Sequence, residues 1–267
     1  MSRFTSLLHE ASPGRHFCQI HHSPESLDRA VFEYASQGLA RGEGVALVIP
    51  PQRRAAVESM LREAGLSLGE SIARLQLHLL DADEMRTHCQ RDGVPDWTLF
   101  NGALDGLVER FRAAGFRRFR LYGEISDGIW ESDPERAIAF EELAARAAAE
   151  RNIPVFCGYH IEALSAQTAL QPIHELGRVH TDVLATEEDE ALRIALDAAS
   201  REMLGAPLSV MLSNAGGRRE PGEHRLPLSR RIVLWLRRTM PDALSRVLRR
   251  AEHHFRGASS PETLRTS

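Results

Sequence analysis

Gly44-Val45-Ala46-Leu47-Val48-Ile49-Pro50 is the stretch that decides the fold. Its apolar residues run without a polar break between a glycine and a proline. A strand with one wet face would alternate, whereas a short continuous run suits a strand buried on both faces of a parallel sheet. The flanks agree with this. Upstream, Phe17-Cys18-Gln19-Ile20 is strand-like and stops at His21-His22-Ser23-Pro24, where Ser23 and Pro24 fit an N-cap and first helical residue. Leu27, Ala30, Val31, Tyr34 and Ala35 then recur at helical spacing.

Downstream the rhythm repeats: a helix over 52–64, a strand over 75–80, a helix over 96–114, a strand over 116–122, a helix over 134–150 and a strand over 153–157. Strands separated by helical crossovers predict a mostly parallel central sheet covered on both faces, an α/β three-layer sandwich. The strand over 116–122 has arginines between its apolar residues and is expected nearer a sheet edge. Beyond it lie a partly helical stretch over 163–176, a helix over 187–204, a short strand over 208–212, a Gly- and Arg-rich hinge over 214–222, and two helices over 228–239 and 241–255. The tail from Gly257 is expected to be disordered.

Charge is unevenly placed. The chain has no lysine; up to Gly217 it carries 21 Arg against 32 Asp plus Glu, and from Arg218 onward 12 Arg against 5 acids. Lacking lysine, it cannot form the phosphate-binding lysine of a P-loop, a Schiff base or a lysine general base. Docking onto the chain's own acidic helices or another subunit's is the expected role of the basic tail. The negative body opposes DNA, and no helix-turn-helix emerges, so nucleic acid is not an expected partner. No apolar run approaches the ~20 residues needed to span a bilayer, and the start lacks a signal core. With three cysteines read as reduced thiols, a cytoplasmic location is expected.

In an open parallel sheet, ligands bind beyond the C-terminal strand ends. His21-His22, Asp81–Asp83, Gly123-Glu124-Ile125-Ser126 and Tyr159-His160 put polar residues there. Cys18-x-x-His21 and Cys157-x-x-His160 offer metal-ligand residue types. Residues three apart on an extended strand face opposite sides, however, so the four converge only if the chain turns within each pair. Trp130, in the loop after Glu124, is the aromatic placed to touch an apolar ligand. No Gly-x-Ser-x-Gly elbow is present, and no base is placed beside the Cys157 thiol.

His16-Phe17-Cys18-Gln19-Ile20-His21, Gly38-Leu39-Ala40-Arg41-Gly42-Glu43, Tyr122-Gly123-Glu124 and Phe156-Cys157-Gly158-Tyr159 with the later His180 resemble, in order and spacing, the MEDS family. This is a sensory domain of methanogen and methylotroph regulators, including the dichloromethane-responsive repressor. The resemblance covers roughly 13–185. It implies a RecA/KaiC-like fold without the nucleotide-hydrolysing loop, and binding of small hydrocarbon derivatives. Carried onto this chain, it points to His21, Gly123-Glu124, Tyr159 and His180. Family members often have an aspartate after the tyrosine, where this chain has His160.

The expectation is therefore a sensory α/β domain over 13–185, a helical extension with basic C-terminal helices over 186–256, and a tail over 257–267. Its function would be non-catalytic small-molecule sensing in bacterial signal transduction or transcriptional regulation. The ligand, apolar with a polar end, would meet His21, His22, Tyr122, Glu124, Trp130, Tyr159, His160 and His180. No cofactor, metal or catalytic residue is assigned. Output would pass to a protein partner such as a kinase or regulator. A homodimer stays an open expectation, since the last helix's apolar stripe can be satisfied within one chain. Two alternatives remain: a metal-assisted enzyme using the Cys/His cluster, and a non-hydrolysing nucleotide-binding scaffold.

Overall fold

A computed structural model describes residues 8–21, 23–130, 132–160, 170–215 and 221–258. They form two compact units: Met1–His160 with Val179–Asp182, and Ile161–Arg178 with Val183–Ser267.

The first unit carries strands β1 (His16–His21), β2 (Gly44–Ile49), β3 (Leu77–Asp81), β6 (Phe119–Gly123) and β7 (Val155–His160). With β8 (Asp182–Leu184) they make a six-stranded sheet in the order β3-β2-β6-β7-β1-β8, and the pairs β2–β3, β2–β6, β6–β7 and β1–β7 are all parallel. A two-residue hairpin, β4 (Gln90–Arg91) with β5 (Val94–Pro95), stands apart. Its Asp92-Gly93 turn has both residues at positive φ, 53° and 80°, the type I′ geometry that matches strand twist.

Between the strands run α1 (Pro24–Ala40), α2 (Pro51–Glu63), α3 (Leu68–Ala73), α4 (Ala82–His88), α5 (Trp97–Ala113) and α6 (Pro134–Arg151). Ser23 caps α1 by accepting from the Ser26 amide at 3.2 Å, ahead of Pro24. Asp96 caps α5 in the same way through Leu99. α1 lies on one sheet face, where Leu27 and Tyr34 meet the β1, β6 and β7 aromatics Phe17, Tyr122 and Phe156. α5 and α6 cover the other face. The result is the three-layer, mostly parallel sandwich of RecA/KaiC-type folds. β1 ends at His21 and α1 begins at Pro24, so no phosphate-cradling loop fits between them.

β6 corrects one expectation. It lies between β2 and β7 in the middle of the sheet, not near an edge. Arg117 and Arg118 precede the strand, and Arg120, fully buried, is neutralised where it stands. Its Nε donates to Glu43 Oε2 at 2.7 Å, and Nη1 donates to the carbonyls of Leu8 (3.1 Å) and Tyr34 (3.0 Å). Gly38 leaves room for it: a Cβ there would sit 2.7 Å from Arg120 Cδ. A buried cation with every hydrogen bond satisfied is tolerated in a central strand.

The second unit contains α7 (Leu170–Val179, bar its last residue), α8 (Glu187–Leu204), α9 (Leu208–Asn214), α10 (Leu228–Thr239) and α11 (Pro241–Ala258). Residues 208–212 are helical, correcting the strand expected there. Pro207 precedes the helix, and Ser209 donates from its amide (2.8 Å) and hydroxyl (2.7 Å) to Asp197. α8 opens with a Thr186–Asp189 capping box. The basic helices dock on acids within this unit. Fully buried Arg230 donates to Asp189 at 3.0 Å, Arg238 holds Glu223 with two bonds, and Arg250 meets Glu202. The stripe Leu244, Val247, Leu248, Ala251 is buried within the chain, so it makes no demand for a dimer. α11 extends past Gly257 to Ala258; the remainder of the expected disordered tail, residues 163–169 of the expected partly helical stretch and 216–220 of the hinge lie outside the described residues. No described helix is long and apolar enough to cross a membrane.

Candidate functional site

Strand alternation divides the polar residues of the first unit between two faces of the sheet. In the β1–β7 register His16, Cys18 and Ile20 stand beside Val155, Cys157 and Tyr159 on the α6 side. Phe17, Gln19 and His21 stand beside Phe156, Gly158 and His160 on the α1 side. Cys18 and Cys157 therefore share one face and His21 and His160 the other, and the two Cys-x-x-His pairs do not form one cluster.

On the α1 side the network grows from the switch point of the sheet, where connections leave β2 toward β3 and β6 toward β7. Glu124 follows β6 and is held to β2 by its amide donating to Val48 O at 3.0 Å. Its carboxylate is buried, accepts from Tyr122 Oη at 2.8 Å and pairs with Arg53 of α2 at 2.5 Å. Arg53 also pairs with Asp28 of α1. Burial pushes the Glu124 carboxyl up to about 7 against the pull of Arg53, whose charge is shared with Asp28. Gly158 makes this packing possible, because a Cβ there would lie 2.4 Å from Tyr122 Oη. Nearby, His21 Nδ1 lies 3.3 Å from Ser26 Oγ. The exposed His160 donates its amide to Asp127 Oδ1 at 2.7 Å.

The α6 side holds a second, fully buried cluster. Glu141 of α6 points its Oε2 at His16 Nε2 and His180 Nε2, each 3.2 Å away. Cys157 Sγ lies 3.4 Å from His16 Nε2, and Tyr159 Oη 3.3 Å from His180 Nε2. Ser126 Oγ donates to Glu141 Oε1. The two imidazoles stack with centroids 4.0 Å apart. His180 is brought here by the chain just before β8, where Thr181 donates from both its amide and hydroxyl to His16 O and Arg15 pairs with Asp182. Burial pushes the Glu141 carboxyl up, but the two histidines beside it outweigh burial and hold the group well below the carboxylate range. Burial, then the Glu141 charge, pushes the Cys157 thiol and the Tyr159 phenol well up. Trp130, buried, meets Tyr159 edge-on at 5.5 Å.

Glu141 and Cys157 also border a cavity of about 250 Å³ on this face. Val48, Leu80, Leu121 and Val155 form its floor, and Phe100, Leu104 and Leu107 of α5 with Ala144 and Ala147 of α6 form its roof. Tyr122 also borders it. Apart from that cluster, its charged or titrating neighbours are Arg110 and His88, both exposed.

The eight residues expected from sequence thus divide. Trp130, Tyr159 and His180 come together around Glu141. Tyr122 and Glu124 pair on the opposite face, His21 and His160 stand on that face at the strand ends, and His22 lies outside the described residues. Sequence reasoning missed His16 and Glu141. His16 opens the first strand in phase with Cys18, and Glu141 sits among the buried positions of its helix, where an acid signals a partner. The group His16, Glu141, Cys157 and His180 has ligand atoms all within 4.8 Å of one another and can hold a metal ion.

No curated protein sequence matches the chain. The family model for the methanogen/methylotroph, DcmR sensory domain matches residues 15–181, a span that takes in both β1 histidines, the Tyr122–Glu124 strand end, Glu141 and His180, and the chain belongs to this MEDS family.

Proposed function

We propose that this sensory domain binds a small, mainly apolar molecule with one polar end in the cavity between the sheet and helices α5 and α6. The observation that carries the reading is that cavity: about 250 Å³ walled by aliphatic and aromatic side chains, with Glu141 and Cys157 at one place on its wall. An apolar cavity of ~150 Å³ is enough to hold benzene, so a compound of a few heavy atoms fits here. Apolar walls bind the hydrocarbon body, and the Glu141–Cys157 corner orients its polar end. Trp130, Tyr159 and His180 support that corner from behind. Glu124, His21 and His160 tie strand ends together on the far face and do not contact the ligand body, whereas Tyr122 borders the cavity. Signal transduction follows from a population shift. Occupancy favours one arrangement of α5 and α6 over the sheet, and a protein partner such as a kinase or regulator reads the changed surface.

Saturable binding of benzene and of short-chain alcohols to the full chain, followed by NMR shifts of cavity methyls, tests this. Ala103 of α5 lines the cavity; one molecule per chain, recovered unchanged and lost in Ala103→Phe with the fold retained, is the expected outcome. Binding indifferent to Ala103→Phe refutes the cavity as the site.

A further inference from the structure

We propose that His16 Nε2, His180 Nε2, Glu141 Oε2 and Cys157 Sγ form a binding site for one divalent transition-metal ion of the zinc class. Two imidazoles, a carboxylate and a thiolate are a mixed donor set that suits this ion. Three of the six ligand–ligand separations already match a tetrahedral site, and all lie within 4.8 Å. Bonds of ~2.0–2.3 Å around a tetrahedral ion place ligand atoms about 3.3–3.6 Å apart. The observed separations are 3.2 Å for each histidine–Glu141 pair and 3.4 Å for Cys157–His16.

The tautomer of His16 supplies the second argument. Its Nδ1 lies 3.2 Å from the carbonyl of Val179, which can only accept, so Nδ1 carries the proton. Nε2 of the neutral ring then turns its lone pair toward a carboxylate oxygen and a sulfur. Lone pairs converging in a buried space need a cation, either a second proton on the ring or a metal. The backbone carbonyl on Nδ1 is also the outer-shell contact that fixes a ligating imidazole, and Ser126 does the same for Glu141 by donating to Oε1. Balance of charge is satisfied: one thiolate, one carboxylate and two neutral imidazoles offset a 2+ ion, leaving no net charge in a fully buried place. Metal entry releases to solvent the Cys157 proton and any proton held on Nε2 of His16 or His180, and bonds to the metal replace the contacts these atoms now make with one another and with Tyr159.

The four ligands come from β1, α6, β7 and the segment before β8, so the ion would also clamp the sheet to its covering helix. Since Glu141 and Cys157 border the cavity, a polar ligand group placed there would lie beside the metal. That last point rests on the proposed cavity reading; the metal site itself does not.

Co2+ alone, added to full-length chelator-treated protein with no small molecule present, is the probe. Metal analysis after gel filtration is expected to give one Co2+ per chain, with intense tetrahedral visible bands and a near-ultraviolet thiolate-to-cobalt band. Cys157→Ser removes the thiolate band. Loss of an outer-shell partner typically weakens metal sites ~10–100-fold, so Ser126→Ala is expected to weaken binding about tenfold and Glu141→Gln at least a hundredfold. Ala103→Phe, which blocks the cavity, leaves Co2+ uptake unchanged, separating this site from the ligand reading. Wild-type protein that retains no stoichiometric Co2+ overturns the proposal even if every variant misfolds. So does a thiolate band that survives Cys157→Ser.

Discussion

Glu124→Gln converts the electrostatics of the switch point into a measurable slope. The wild-type carboxyl is raised from 4.5 to about 7 by burial. Below pH 4.5 it is protonated whether the chain is folded or not. Between 4.5 and 7 the unfolded chain gives up the proton and the folded one keeps it. Stability from this group is therefore fully present below 4.5, falls as pH rises through the window and levels off above 7. Integrating the difference in bound protons from pH 5 to pH 8 gives a loss of about 2.5 kcal/mol. Gln cannot titrate, so the variant lacks this term. Its amide also faces Arg53 with a donor where an acceptor stood, a penalty that does not change with pH. Hence the slope is diagnostic and the absolute stability is not. Denaturant titrations of both proteins at half-unit steps from pH 5 to pH 8 read it directly; subtraction cancels groups not coupled to Glu124, and Asp127, whose charge raises the Glu124 carboxyl, is removed from the comparison by making both measurements in an Asp127→Asn background. The chain with Glu124 is expected to lose up to about 2.5 kcal/mol relative to the variant across the series. Parallel curves would show that Arg53 and Tyr122 keep Glu124 ionised throughout, and the argument from burial would be refuted.

Arg120→Met leaves the Glu43 carboxylate facing apolar surroundings and frees the Leu8 and Tyr34 carbonyls; a loss of about 3–5 kcal/mol is expected in urea unfolding. Gly158→Ala places a methyl 2.4 Å from Tyr122 Oη and 2.5 Å from Leu27 Cδ1. It should cost about 1–3 kcal/mol, and a second-site Leu27→Ala should recover part of that loss. Thr186→Ala removes one arm of the α8 capping box at about 1 kcal/mol, seen as faster amide exchange in the first turn of that helix.

The sandwich was legible because its strands are continuous apolar runs and its helices carry strong caps. Ser23-Pro24 and Asp96 mark helix starts in sequence as they do in space. β8 was not legible, since three residues, Asp182-Val183-Leu184, give too little pattern to see. The β4–β5 hairpin was overlooked although Asp92-Gly93 carries its signal. β6 was misplaced because a charged residue between apolar ones reads as a solvated face, and no local rule announces that Glu43, 77 positions away in sequence, will neutralise Arg120.

Alternation decided the site in a way that sequence could carry only halfway. It showed correctly that Cys18 and His21 face apart, and the same rule, taken one step further, puts His16 in phase with Cys18 and Cys157 in phase with Tyr159. What alternation cannot supply is the parallel register that sets Cys18 beside Cys157 rather than beside Tyr159, or the helix phase that turns Glu141 inward. Those are tertiary facts: each depends on how a crossover of a dozen or more residues closes. Polar residues at the strand ends point to Glu124, yet its charge is already met by Arg53 and Tyr122. At Glu141 the balance differs. There a carboxylate, a thiol and two imidazoles meet beside an apolar cavity, and desolvating that many polar groups is costly unless a bound cation or ligand holds them together.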